Sequence, residues 1–367
     1  MVASMLIKAL RDPVCLKQAN ARDWERLIFE AGGCELAPRV AAQIDAAGLA
    51  DLVPERAGYH LELARLFASL QHEAVATELA ALTEALAEHD LPFLLLKGGA
   101  YIVGGFAASQ GRTLSDIDIL VRKEDLAVVE DRLEGAGWIY AKRDPYDQEY
   151  YRRWMHELPP MMHIDRHSAL DVHHTVTPPT SAMAVEGARI FEEAVFGGPT
   201  GHPLIGLPMP ADLVLHSAVH LFNDSEFDAG LRDLSDLDLL FRDFGQQDDF
   251  WPTLLARAKA LGLGSSLAYA VGLCRAYFAT PIPEDALTGV MAQAPNRLVR
   301  GALSALFKAA LDPPDPAGEP WTREPALFAL YVRGHALRMP PSLLLPHLIK
   351  QARRRARGEE DEQPAPA

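Results

Sequence analysis

Residues 93–121 read FLLLKGGAYIVGGFAASQGRTLSDIDILV, and this stretch decides how the rest of the chain is understood. An apolar run, Phe93 to Leu96, ends at Lys97, a Gly98-Gly99 pair follows, and a further apolar segment leads to Arg112. Asp116 and Asp118 then stand one residue apart inside a second apolar run, Ile117-Asp118-Ile119-Leu120-Val121. The β-branched neighbours predict a buried strand. A period of two places both carboxylates on one face, ~6.6 Å apart along the strand. Two like charges on an apolar strand are costly to bury. A divalent cation between them relieves that cost, and hard oxygen ligands suit magnesium. The stretch therefore implies a metal site beside a glycine turn that can approach a phosphate closely.

Around this segment the pattern alternates. The stretch from about Ala21 to Asp90 is rich in Ala, Leu and Glu at helical spacing, clearest over His72 to Asp90, where Val75, Leu79, Leu82 and Leu86 form one apolar stripe. Residues 93–96, 116–121, 138–141, a run around 163–165, and 169–172 read as strands; Gly98 to about Ala108 and Glu124 to about Glu134 read as helices. A polar loop separates the third strand from the fourth. FGGPTGHPLIGLPMP (Phe196 to Pro210) reads as a linker, and the chain beyond it is helical again. The expected fold class is α+β: a small mixed-sheet core flanked by N- and C-terminal helical regions. The expected blocks are a helical region over 1–90, the core over 91–200, a second helical region over 201–350, and a disordered tail over 351–367.

Ser235-Asp236-Leu237-Asp238-Leu239-Leu240 repeats the look of Ser115 to Leu120. Its neighbours Leu231, Leu234, Leu237 and Leu240 follow helical spacing and no glycine turn precedes it, so a solvated or partner-facing helix is expected. Arg232 or Asp236 could still line a cleft.

The 367 residues allow a large core and more than one domain. A hydrophobic fraction of 49% beside 23% charged residues is that of a globular protein. The formal net charge of -15 disfavours long nucleic acid as a partner, leaving nucleotides and metal-bound phosphates. Cys15, Cys34 and Cys274 are odd in number and widely spaced, which gives no disulfide framework. The N-terminal apolar stretch is broken by Arg11 and Asp12, and no continuous apolar run approaches the ~20 residues of a spanning helix. A cytoplasmic location is expected.

These residues resemble the DNA polymerase β-like nucleotidyltransferase superfamily, and within it a bacterial nucleotidyltransferase-like family with L-K-G and R-x-x-x-D-x-D-x-L-V signatures. Gly98 and Gly99 match the glycine pair, Asp116 and Asp118 the D-x-D, and Asp171 in Ala169-Leu170-Asp171-Val172 the third carboxylate. Asp165, six residues earlier, has similar flanks and stays open for that third place. The likeness covers residues 1 to about 250, with the diagnostic residues confined to 93–172. It implies an NTP such as ATP as substrate and Mg²⁺, or Mn²⁺ in its place, as cofactor. Asp116, Asp118 and Asp171 would be metal ligands and catalytic residues, Asp171 also the base. Lys97, Gly98, Gly99, Arg112 and Ser115 would bind the nucleotide. Lys97 could equally be a snorkelling strand-end residue, and Arg112 the partner of a core carboxylate.

Two other readings compete. His156, His163, His167, His173 and His174 crowd the third-carboxylate region, and His216 and His220 stand four apart, which raises metal-dependent hydrolysis. The interior of 216–220, Ser217-Ala218-Val219, lacks the glutamate of a zincin, so magnesium is expected ahead of zinc. The other is a catalytically idle nucleotide-binding or scaffold protein with the same fold. The acceptor is not legible.

Overall fold

A computed structural model describes residues 4–339, apart from 142, 143, 182, 184, 224–226 and 319, together with Leu344. The expected tail over 351–367 lies outside the described residues. The fold is α+β, a seven-stranded mixed sheet with flanking helices. The chain divides into two units, each assembled from separate stretches of sequence.

The unit made of residues 78–96, 115–209 and 332–367 carries the sheet. Its strands are β1 (Phe93–Leu95), β2 (Ile117–Leu120), β3 (Trp138–Tyr140), β4 (Met161–His163), β5 (Ala169–His173), β6 (Val195–Phe196) and β7 (Ile205–Leu207), in the order β3-β4-β5-β2-β1-β7-β6. β2 lies at the centre, antiparallel to β1 and parallel to β5. Burial follows position. Every residue of β1 and β2 is buried, as a central strand covered on both faces requires. On edge strand β3, Trp138 is buried while Ile139 is exposed.

The structure corrects two expectations here. The stretch expected as a linker contains part of β6 and all of β7, which pairs in parallel with β1. Its prolines and glycines hid that pairing. Gly206 is a packing glycine, because a Cβ there would lie 2.6 Å from Leu94 Cδ2 and 2.8 Å from Phe196 Cε1. The polar loop after β3 contains the helix Pro145–Trp154. Tyr150, Tyr151 and Trp154 pack there against Met155, Met339 and Leu344, while Arg153 pairs with Glu149 one turn back. High charge density masked that short apolar stripe.

The other unit, residues 1–77, 97–114 and 210–331, is helical in its described part. The helices Pro210–Asn223, Gly230–Phe244 and Gly264–Phe278 supply many of its buried apolar residues, among them Phe222, Leu234, Phe241 and Phe278. The helix anticipated from His72 begins earlier, at Glu55, and ends at Ala87. The helix anticipated over Gly98 to Ala108 is Lys97–Gly104, followed by a 3-10 turn at Ala107–Ser109.

Residues 235–240 are helical, as their spacing predicts, but they are not solvated. Ser235, Asp236, Leu237 and Asp238 are all buried in the Gly230–Phe244 helix. Arginines make this tolerable: Arg39 lies 2.7 Å from Asp236 Oδ1, Arg112 Nε donates to Asp236 Oδ2 at 2.7 Å, and Arg242 Nε donates to Asp238 at 2.9 Å. Arg39 also donates to the Ser235 hydroxyl and to the Ala108 carbonyl. Burial lowers the Arg39 pKa despite Asp236. Burial opposes the charged form of Arg112 too, yet Asp236 and Asp233 outweigh it and its pKa lies above the usual arginine value.

Candidate active site

The sheet unit gathers the acids. β2 and β5 run parallel with Asp118 and Asp171 as direct register partners. Register partners on neighbouring strands share a face and stand about 4.8 Å apart across the strand direction. Asp118 is 3% exposed and Asp171 half-buried. Asp116 precedes β2 by one residue, is half-buried, and accepts a 3.1 Å hydrogen bond from the exposed Ser115 hydroxyl. The Asp118 backbone is fixed from the other side, where its carbonyl accepts from the Leu96 N–H at 3.0 Å.

Asp165, the other contender for third carboxylate, sits exposed in the turn between β4 and β5, outside the β2–β5 pairing. There its backbone N–H donates to His163 Nδ1 at 3.2 Å.

Two residues along β5 from Asp171, on the same face by alternation, is His173, the register partner of Leu120. Its Nε2 lies 3.0 Å from Asp118 Oδ1 in a buried contact. Glu157 pairs with His173 in an isolated antiparallel bridge, and Glu157 Oε2 lies 3.4 Å from His173 Nδ1. His156 Nε2 is 3.9 Å from the same carboxylate oxygen. The sheet face therefore carries a continuous polar strip, Asp118 and Asp171 in one row and His173 with Glu157 in the next.

Sequence reasoning singled out His173 only as one of a crowd and missed Glu157. The signal was present: His156-Glu157 and Asp171-Val172-His173 are short polar patterns that meet once the segment after Trp154 folds back on β5. Other histidines of the crowd do different work. His163 packs edge-on against Trp138 with ring centroids 5.0 Å apart, and its Nε2 lies 3.2 Å from the Ala136 carbonyl. Burial, reinforced by Lys123, pushes the His174 imidazole below its ordinary pKa.

The remaining candidates belong to the helical unit. Lys97 opens its helix with φ +42°, a left-handed conformation that turns the chain sharply after β1. Gly98 and Gly99 are both buried in the first turn. A Cβ on Gly98 would overlap the Leu114 side chain, so close packing alone demands glycine there. The guanidinium of Arg112 is engaged by Asp236, by Asp233 at 3.4 Å and by the Thr113 carbonyl, while its own carbonyl lies 2.8 Å from His72 Nε2.

Residues 20–279 match a family described as uncharacterised nucleotidyltransferase, and the chain belongs to that family. Membership supports a general nucleotidyl-transfer activity, with an NTP as its substrate. Neither the curated proteins nor the solved structures gave a match. Among the described residues no helix is long and apolar enough to cross a membrane.

Proposed function

We propose that this protein transfers an NMP unit from an NTP to a hydroxyl group of a small molecule or protein, releasing pyrophosphate. The observation that supports this most directly is the register of Asp118 with Asp171 on neighbouring parallel strands. Strand alternation, continued one residue upstream, brings Asp116 to the same side. Three carboxylates offer the hard oxygen donors that Mg²⁺, or Mn²⁺ in its place, takes up, so these residues fit the ion. When bound, such an ion neutralises charge building on the phosphoryl oxygens.

The chain's own groups have distinct tasks. Asp171 accepts the proton of the attacking hydroxyl, as a carboxylate within hydrogen-bond reach can. A bond forms between that oxygen and the α-phosphorus. The bond from the α-phosphorus to the bridging oxygen breaks, and the electron pair leaves on pyrophosphate. His173 holds Asp118 through its Nε2 contact, which fixes the carboxylate's orientation. Lys97 supplies a point charge for the triphosphate. The backbone N–H groups at Gly98 and Gly99, where a helix begins, favour an anion. Ser115 positions Asp116 through its hydroxyl.

Purified protein with Mg²⁺, each NTP and a cell extract as acceptor source is expected to release pyrophosphate and label a product. Asp116→Ala is expected to remove both signals. Equal pyrophosphate release by wild type and this variant would refute the assignment.

A further inference from the structure

We propose that His156, Glu157 and His173 form a binding site for a divalent transition-metal ion of the zinc class, separate from the carboxylate set of Asp116, Asp118 and Asp171. It goes beyond nucleotidyl transfer and does not rest on it.

An ionised carboxylate only accepts hydrogen bonds. The 3.0 Å contact between Asp118 Oδ1 and His173 Nε2 therefore places the proton of a neutral imidazole on Nε2. The lone pair is then on Nδ1, and Nδ1 faces Glu157 Oε2, another electron-rich atom, at 3.4 Å. Two acceptors turned toward each other in a buried setting repel unless a positive charge lies between them. A divalent ion held between them would supply that charge.

A third ligand favours the metal. His156 Nε2 lies 3.9 Å from the same Glu157 oxygen, and one ligand atom from each of the three residues lies within 4.8 Å of the others. Zinc–nitrogen bonds of about 2.0–2.1 Å place the ligand atoms of a tetrahedral ion about 3.3–3.5 Å apart, so small side-chain shifts suffice. The arrangement is held by backbone: Glu157 is the bridge partner of His173, and the Leu158 N–H donates to the Val172 carbonyl at 2.9 Å. His156 and His173 are 8% and 1% exposed, so the ligands are largely withdrawn from competing water. A histidine that ligates a metal characteristically gives its other ring nitrogen to a carboxylate, and Asp118 occupies that place for His173. Two imidazoles and one carboxylate leave a divalent ion with one unit of positive charge, which the Asp118 carboxylate balances from across the ring.

The full chain, stripped with EDTA and dialysed, tests this by titration with Zn²⁺ and separately with Co²⁺. We expect about one zinc per chain to survive desalting and Co²⁺ to develop a visible d–d absorption band. His156→Gln and Glu157→Gln, each checked for native circular dichroism, are expected to weaken zinc binding at least about tenfold. Asp165→Asn, in the exposed turn, is expected to retain it. Wild-type protein that keeps no zinc and shows no cobalt band would overturn the proposal. Equal zinc retention by His156→Gln and wild type would also overturn it. Magnesium-dependent pyrophosphate release is read separately, so failure of either reading leaves the other standing.

Discussion

Ser115-Asp116-Ile117-Asp118-Ile119-Leu120 and Ser235-Asp236-Leu237-Asp238-Leu239-Leu240 are nearly the same words, and the molecule uses them in opposite ways. In the helical unit each acid is met by arginine: Asp236 by Arg39 and Arg112, Asp238 by Arg242. In the sheet unit Asp118 has another acid, Asp171, as its register partner and a histidine on its Oδ1. Arginine on an acid makes an internal strut, whereas acid beside acid concentrates charge that a cation can use. The composition of the hexapeptide does not separate the two. The β-branched isoleucines of one and the leucine spacing of the other do, through the secondary structure they select.

Four substitutions sharpen this contrast. The largest effect is expected on activity: Asp118→Ala should lower pyrophosphate release at least about a thousandfold, since several kcal/mol of charge stabilisation correspond to that rate. Its fold should persist by circular dichroism. Retained activity would make Asp118 an ordinary core acid.

Asp236→Ala should do the reverse, acting on stability. It leaves Arg39 and Arg112 buried without their shared carboxylate, and removal of one partner from a buried ion pair costs about 3–5 kcal/mol. Urea denaturation of the whole chain reads it, and an unchanged midpoint would show that the pairs contribute nothing.

Gly98→Ala is expected to cost about 1–3 kcal/mol through overlap with Leu114. If packing is the cause, Leu114→Ala in the same chain should recover part of the loss. If the phosphate approach is the cause, the double variant should fold well and stay inactive.

The smallest effect is a pH dependence. Burial raises the Asp233 pKa, but Arg232 and then Arg112 outweigh it, so the folded value lies below the ordinary one. Its contribution is complete above the unfolded value of about 3.9 and is lost as pH falls through the lower folded value. Asp233→Asn should therefore flatten the acid limb of a stability–pH profile, and an acid limb parallel to wild type would contradict the assignment.

Much of the sheet centre was legible because both strands that matter are short, apolar and β-branched around a conspicuous acid. The β2–β5 register was not, since no local signal says that position 118 faces position 171 across about 50 intervening residues. β7 was hidden because Gly206 and its flanking prolines look like a linker until Leu94 and Phe196 are seen closing on them. Arg39 was invisible for the same reason as Glu157. Each gains meaning only from a partner distant in sequence, Asp236 for one and His173 for the other. The helical reading of 235–240 followed from periodicity. Its burial did not, because arginines elsewhere in the sequence carry no sign that they will come to it.

We propose that Asp118 and Asp171 act as one ligand set. Calorimetric titration of Mn²⁺ with a non-hydrolysable NTP analogue, compared across wild type, Asp118→Asn, Asp171→Asn and Asp165→Asn, tests it most directly. Binding is expected to fall sharply in the first two variants and to match wild type in the third. Loss of binding in Asp165→Asn with full binding in Asp171→Asn would contradict it.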